Sequence, residues 1–142
     1  MELEKYGFVQ AGEWILSRDV DSGIDFKLAK LENDRVVYAF VVADKPKYVG
    51  ICDKDTTTLQ DRLDRYKSRK GRGRKSEGGE NTNQRNARLI KEHLETGRHV
   101  LIFALKPGPS CEFIDLKVDL VKGLENPLID KFKPEWNRQK TL

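Results

Sequence analysis

Little in this chain would build a zinc cluster or a disulfide framework. Its two cysteines, Cys52 and Cys111, lie far apart and form no CxxC. With His93 and His99 they make no recognisable zinc spacing. They read as free thiols in a reducing compartment. Long apolar runs are missing as well, the longest being far short of the ~20 residues a membrane helix needs. Met1-Glu2-Leu3-Glu4-Lys5 lacks the apolar centre of a signal peptide. The expectation is a soluble, cytoplasmic protein without a membrane partner. At 142 residues the chain has one domain's length and material for one modest core.

Charge is plentiful, at 35% of residues, but the net value is only +4. Its distribution says more, because basic residues gather between positions 62 and 75. Residues 67–81, KSRKGRGRKSEGGEN, contain no apolar side chain; they hold six basic residues, two acidic ones and four glycines. This composition reads as a flexible, solvated loop. It also suits a basic arm that follows a nucleic-acid backbone without reading its sequence.

Aromatic residues are sparse, at 8%, so two tyrosines in one short stretch stand out. Val36 to Gly50, VVYAFVVADKPKYVG, reads as two strands joined by a tight loop at Ala43-Asp44-Lys45-Pro46. Tyr38 lies on the first strand and Tyr48 on the second. Taken alone, such a hairpin is an ordinary core element with packed aromatics. A helix follows, with Thr58 as N-cap and Asp61 three residues on. Leu59, Leu63 and Tyr66 mark its inward face. Arg62 and Tyr66 are four apart and therefore neighbours on the helix surface. An arginine there either lays its stem on the core or turns its planar donor fork toward a phosphate.

A second helix is expected from about Thr82 to Thr96, with Gly97 as C′ residue. Gln84, Arg85 and Arg88 lie near its start. His99 to Leu105 is a strand expected to join the hairpin. Residues 113–118 alternate like a strand, while Leu116, Leu120 and Leu124 also fit a helix; the segment stays open. Leu124, Leu128, Ile129 and Phe132 form a helical stripe. Pro127 is tolerated in a first turn, which places the helix start near Gly123–Leu124 with Glu125 at its beginning. The alternative is a longer helix from Asp119, kinked at Pro127. Of residues 1–35, Phe8 to Leu16 and Ile24 to Leu28 offer strand fragments around a turn at Asp19–Gly23.

The hairpin tripeptides Val36-Val37-Tyr38 and Tyr48-Val49-Gly50, the helix pair Arg62 and Tyr66, Glu125, and the ending Pro134-Glu135-Trp136-Asn137 occur in one order. This set resembles the GIY-YIG nuclease family over roughly residues 36–137. The lead-in is similar, more loosely, to that of the phage endonuclease II branch. The resemblance implies an α/β (α+β) fold: a small, mainly antiparallel three-stranded sheet flanked by helices. Residues 1–35 would form a β-rich extension packing on a nuclease domain at 36–142. It further implies hydrolysis of DNA phosphodiester bonds by a restriction- or phage-type endonuclease. The cofactor would be Mg²⁺, with Mn²⁺ as a substitute, held by Glu125. Arg62 would bind the scissile phosphate. Tyr38, more than Tyr48, would orient or deprotonate the water, Tyr66 would stand beside them, and Asn137 would support the site by hydrogen bonding. Arg65, Lys67, Arg69, Lys70, Arg72, Arg74, Lys75, Arg85 and Arg88 are the candidate DNA contacts.

The chain departs from the family pattern in two places. Its first tripeptide has no glycine, and Ile51 stands where many members carry lysine. No further DNA-recognition domain is evident, so specificity would come from residues 1–35, the basic loop, the second helix or a homo-oligomer, dimer or tetramer. The sequence also admits two other readings: a nucleic-acid-binding module without cleavage, and a nuclease subunit of a repair or recombination assembly.

Overall fold

A computed structural model describes residues 1–68, 80–108 and 111–137. Its centre is the strand β3 (Val37–Val42), buried along its whole length. An unbroken apolar run suits a strand covered on both faces. Tyr38, Phe40 and Val42 point to one face, where they join Trp14, Leu59, Leu63, Tyr66, Ile90 and Trp136. Val37, Ala39 and Val41 point to the other, with Leu3, Phe8, Val49, Val121 and Leu128. The sheet therefore has a core on each side. Helices α1 (Leu59–Lys67) and α2 (Thr82–Glu95) cover the first, and α3 (Leu120–Phe132) the second.

Five strands make up the sheet. Besides β3 they are β1 (Val9–Leu16), β2 (Ile24–Leu28), β4 (Lys45–Ile51) and β5 (Leu101–Leu105), in the order β2-β1-β5-β3-β4. Every neighbouring pair is antiparallel. β3, β4 and β5 are the three strands expected from the sequence. The lead-in adds the other two to the same sheet, with β1 paired directly to β5.

The β3–β4 turn is made by Ala43 and Asp44, both at positive φ, 49° and 62°. This is the two-residue turn whose twist matches the strands it joins. Pro46 is accommodated because β4 is an edge strand. The register slips between Phe40 and Val41, so that Val41 faces Pro46 while Phe40 faces Tyr48. This bulge puts Gly50 opposite Tyr38. A Cβ at Gly50 would lie 2.5 Å from the Tyr38 ring, so only glycine lets that ring lie flat across the neighbouring strand.

Helix starts follow their caps. Thr58 accepts from the Asp61 amide at 3.2 Å while Asp61 accepts from the Thr58 amide at 3.1 Å. Asn81 and Gln84 make the same reciprocal pair at α2. Gly97, at φ 83°, follows the C-cap Thr96 of that helix. At α3 the start near Gly123–Leu124 is corrected. Asp119 caps the amides of Val121 and Lys122, and the helix begins at Leu120. Burial of Val121 and the aspartate cap, worth about 1 kcal/mol, hold the extra turn. Pro127 thus lies inside the helix, where it removes one backbone bond.

The segment left open is strand: β6 (Cys111–Phe113) and β7 (Leu116–Val118) form a separate hairpin. Cys111 pairs with Val118, Glu112 with Lys117 and Phe113 with Leu116. One face is therefore wholly apolar and the other carries an opposite-charge pair. The apolar face lies in solvent, with Phe113 65% and Leu116 62% exposed. Among the described residues, no helix is long and apolar enough to cross a membrane.

Candidate active site

α1 lies over the β3–β4 hairpin and brings its two candidate residues to the tyrosines. The hydroxyls of Tyr38 and Tyr66 are 2.6 Å apart, within hydrogen-bond distance. Arg62 Nε donates to the Tyr38 hydroxyl at 3.1 Å, and its guanidinium lies 5.6 Å from the Tyr66 ring centre, a cation–π contact. Tyr48 stacks on Phe40 at 5.6 Å and meets the edge of Tyr66 at 6.4 Å. Trp14, from the lead-in, meets Tyr66 and Phe40 edge-on. One aromatic cluster thus carries three phenols and one cation.

Burial sets the ionisation of this group. Tyr38 and Tyr66 are shut off from solvent and Tyr48 nearly so. Loss of hydration pushes all three phenols above their ordinary value. Arg62 pulls Tyr38 down, but less strongly than burial lifts it. The attraction between Arg62 and Tyr38 holds the guanidinium charged. The three phenols are neutral near pH 7, and the charge among them belongs to Arg62.

α3 packs against β4 from the opposite face of the sheet. From there half-buried Glu125 is near enough for its charge to help raise the Tyr48 phenol. Asn137 grips the backbone of Val49: its carbonyl accepts from the Val49 amide at 2.9 Å, and its amide donates to the Val49 carbonyl at 2.9 Å. The Trp136 amide donates to the Lys47 carbonyl at 2.8 Å. These residues close the β4 edge as a further strand would, and fix the strand carrying Tyr48 and Gly50. Asn137 works on the backbone, as hydrogen-bonding support. Trp136 is a buried anchor, its ring 5.5 Å from that of His93.

Arg62 opens on one side into a cleft of about 870 Å³ lined also by Lys54, Thr57, Asp61, Asp64, Arg65 and Asn83. Arg65 thus shares the cleft with Arg62. Three other basic candidates have partners in the fold. Lys67 pairs with Asp25 at 3.0 Å and covers Phe26. Arg85 donates to the Trp136 carbonyl at 2.8 Å. Arg88 is bound by Glu80 and Glu92. Arg69, Lys70, Arg72, Arg74 and Lys75 lie outside the described residues. Sequence reasoning passed over Thr57, which nothing in its local pattern marks; Asn83, in the stretch 83–86 that the sequence offers with Lys54 in place of the missing lysine, reaches the cleft through the packing of α2 beside α1.

No family model matches the sequence, and no curated protein matches it. Solved structures do. A point mutant of bacteriophage T4 EndoII superposes with a TM-score of 0.69 at 21% identity, over 96% of each chain. The chain has the fold of EndoII. The restriction endonuclease HPY188I, in complex with product DNA, is more distant: 16% identity, 98% of this chain and 81% of that one, TM-score 0.48. The EndoII likeness spans nearly the whole chain, and so takes in the lead-in strands β1 and β2 as well as the tyrosine hairpin.

The raised phenols give a prediction with a definite sign. A group whose pKa is raised by folding contributes stability that is whole below its unfolded value and lost as pH rises above it. For tyrosine that value is about 10. Denaturant midpoints should therefore be flat from neutral pH to about 10 and fall beyond it, with tyrosinate absorbance at 295 nm from the three buried phenols appearing together with unfolding. Reversible ionisation of all three in the folded protein near pH 10 would contradict the burial argument.

Proposed function

We propose that this protein is a metal-dependent DNA endonuclease of restriction or phage type, hydrolysing phosphodiester bonds. The observation that supports this most is the joining of Arg62, Tyr38 and Tyr66 by hydrogen bonds beside Tyr48, in a fold shared with EndoII. A phosphoryl-transfer site needs a fixed cation aimed at the phosphate, a polar group to orient water, and a way to offset charge on the departing oxygen. Arg62 meets the first need: it is charged, faces an open cleft, and its Nε is held in place by the Tyr38 hydroxyl. Its two Nη groups, without a hydrogen-bond partner among the described residues, would engage a phosphate as a fork.

Tyr38 and Tyr48 serve the second need as neutral hydroxyls. Tyr38 lies behind Arg62 and keeps its Nε anchored, while the third hydrogen-bond position of its hydroxyl, beyond those used by Arg62 and Tyr66, would orient the attacking water. Deprotonation of that water by Tyr38 would require a phenolate that burial disfavours here. Tyr66 holds Tyr38 in the correct rotamer.

The third need is that of a divalent cation, Mg²⁺ or Mn²⁺. Glu125 is a half-buried carboxylate whose charge reaches the Tyr48 phenol, and a single carboxylate oxygen donor suits a hard, largely hydrated ion. Mg²⁺ keeps most of its waters and is commonly bound by one or two carboxylates plus substrate phosphates. When bound, it would offset phosphate charge and stabilise the leaving oxygen. Glu125 would hold it.

DNA is the proposed partner, entering the cleft along Lys54, Arg62 and Arg65, with residues 67–81 adding affinity. A cytoplasmic location agrees with the two unpaired cysteines. Plasmid DNA with the purified protein should be cut in Mg²⁺ and spared in EDTA. Glu125→Gln should lower the cutting rate by at least ~10²-fold, the scale of losing one transition-state charge partner, while DNA affinity is kept or slightly raised. Retained cutting by Glu125→Gln would remove Glu125 from the site. DNA binding without cutting under any divalent metal would favour a binding module.

A homo-oligomer belongs to this reading, with a second copy on the apolar face of the β6–β7 hairpin. A two-stranded ribbon is marginal alone in water, and this face carries no charge to repel its twin. Phe113→Asp with Leu116→Lys should shift the sedimentation profile to monomer while leaving the melting temperature of the main sheet in place. A parent that sediments as a monomer at all concentrations would overturn this assignment.

A further inference from the structure

One side chain outside the cleft ties together β3, β4 and α3, three of the four elements that carry the site. Arg35 precedes β3 and lies three residues before Tyr38. Its Nε donates to the Cys52 carbonyl at 2.8 Å and its Nη2 to the Asp53 carbonyl at 2.9 Å. Nη1 and Nη2 also engage the two carboxylate oxygens of Asp119, at 3.0 and 2.8 Å. Cys52 and Asp53 form the exit of β4, on the way to α1 and Arg62. Asp119 caps the first turn of α3, six residues before Glu125.

The geometry points to Arg35 as a positioning residue for the metal-holding carboxylate, an inference that rests on the nuclease reading above. Asp119 has two tasks at once. Its carboxylate accepts the Val121 and Lys122 amides and takes the bidentate fork of Arg35. The N-terminus of α3 is therefore fixed not merely to solvent-facing backbone but to the start of β3 and the end of β4. Glu125 lies about 9 Å along the helix from that anchor, at ~1.5 Å per residue. A tilt of α3 about its first turn would move Glu125 relative to Arg62 and Tyr48, which are held on the other side of the sheet.

Charge and shape both enter. The Arg35 side chain is 19% exposed, and four directed donor bonds use its planar fork. Lysine keeps the charge but offers no fork, and would hold Asp119 while releasing one or both carbonyls. Asparagine at 119 caps a helix as well as aspartate does but removes the ion pair. Arg35→Lys and Asp119→Asn therefore loosen the same joint from opposite ends without touching the cleft.

The test uses the full chain with plasmid DNA and Mg²⁺. Single-turnover cleavage should fall ~10-fold or more in each variant, in keeping with the cost of small misplacements of catalytic groups. The Mg²⁺ concentration giving half the maximal rate should rise, while DNA affinity is unchanged. Amide exchange at Val121 and Lys122 should quicken in Arg35→Lys with the melting temperature retained. The double variant should be no slower than the worse single variant, as expected for two halves of one contact. Should Arg35→Lys fail to fold, Asp119→Asn makes the same measurements. Variants that cut at the parent's rate and Mg²⁺ dependence, or losses that add in the double variant, would overturn the inference while leaving the nuclease reading intact. A parent that does not cut overturns both.

Discussion

The Tyr38 hydroxyl is where helix and sheet meet. It accepts from Arg62 and pairs with Tyr66 at 2.6 Å, within a largely apolar layer. A buried hydroxyl without partners costs about 1–3 kcal/mol, so α1 must sit where both partners reach it. That demand propagates outward. The Tyr38 ring lies across Gly50, the bulge at Phe40–Val41 sets that pairing, and Asn137 with Trp136 closes the strand edge so the bulge stays in register. Burial that makes the contact strong also keeps the phenols neutral. Arg62 is left as the charged group of the cluster, with a cleft on its far side.

Such an arrangement separates two kinds of work. The tyrosines and the sheet define position, and they do it as neutral, packed groups. Arg62, Arg65 and Lys54 line the cleft and supply positive charge, beside Asp61 and Asp64. Glu125 comes from the opposite layer by way of α3, at the edge strand. In the proposed nuclease these parts converge on one phosphate. In that reading the sheet is a divider whose two faces each present part of the site, so joints between layers, such as Arg35 with Asp119, would matter to it.

Much of this was legible where the signal is local. The run from Val36 to Val42 marks a covered strand by composition, and Thr58 with Asp61 marks a helix start by spacing. Arg62 and Tyr66 then face the same way because four residues make nearly one helical turn. Signals of longer range were not legible. The pairing of β1 with β5 joins residues some ninety positions apart, as Val9 with Ala104, and nothing in either segment names the other. Lys67, Arg85 and Arg88 read as free basic residues because Asp25, the Trp136 carbonyl and Glu80 come to them only through folding. Pro127 misled on α3: its preference for a first turn was outweighed by the Asp119 cap and the burial of Val121. The β6–β7 hairpin was ambiguous because its apolar residues face solvent, where neither strand nor helix periodicity reports a core.

The central claim is that Arg62 works as a planar fork on the phosphate while its Nε is anchored by Tyr38. The most direct measurement is single-turnover DNA cleavage by Arg62→Lys beside Arg62→Ala, with folding checked by thermal melting. Alanine should lower the rate by ~10²-fold or more. Lysine, which restores a positive charge but neither the fork nor the anchored geometry, should recover little of it. Near-normal cleavage by Arg62→Lys would contradict the account.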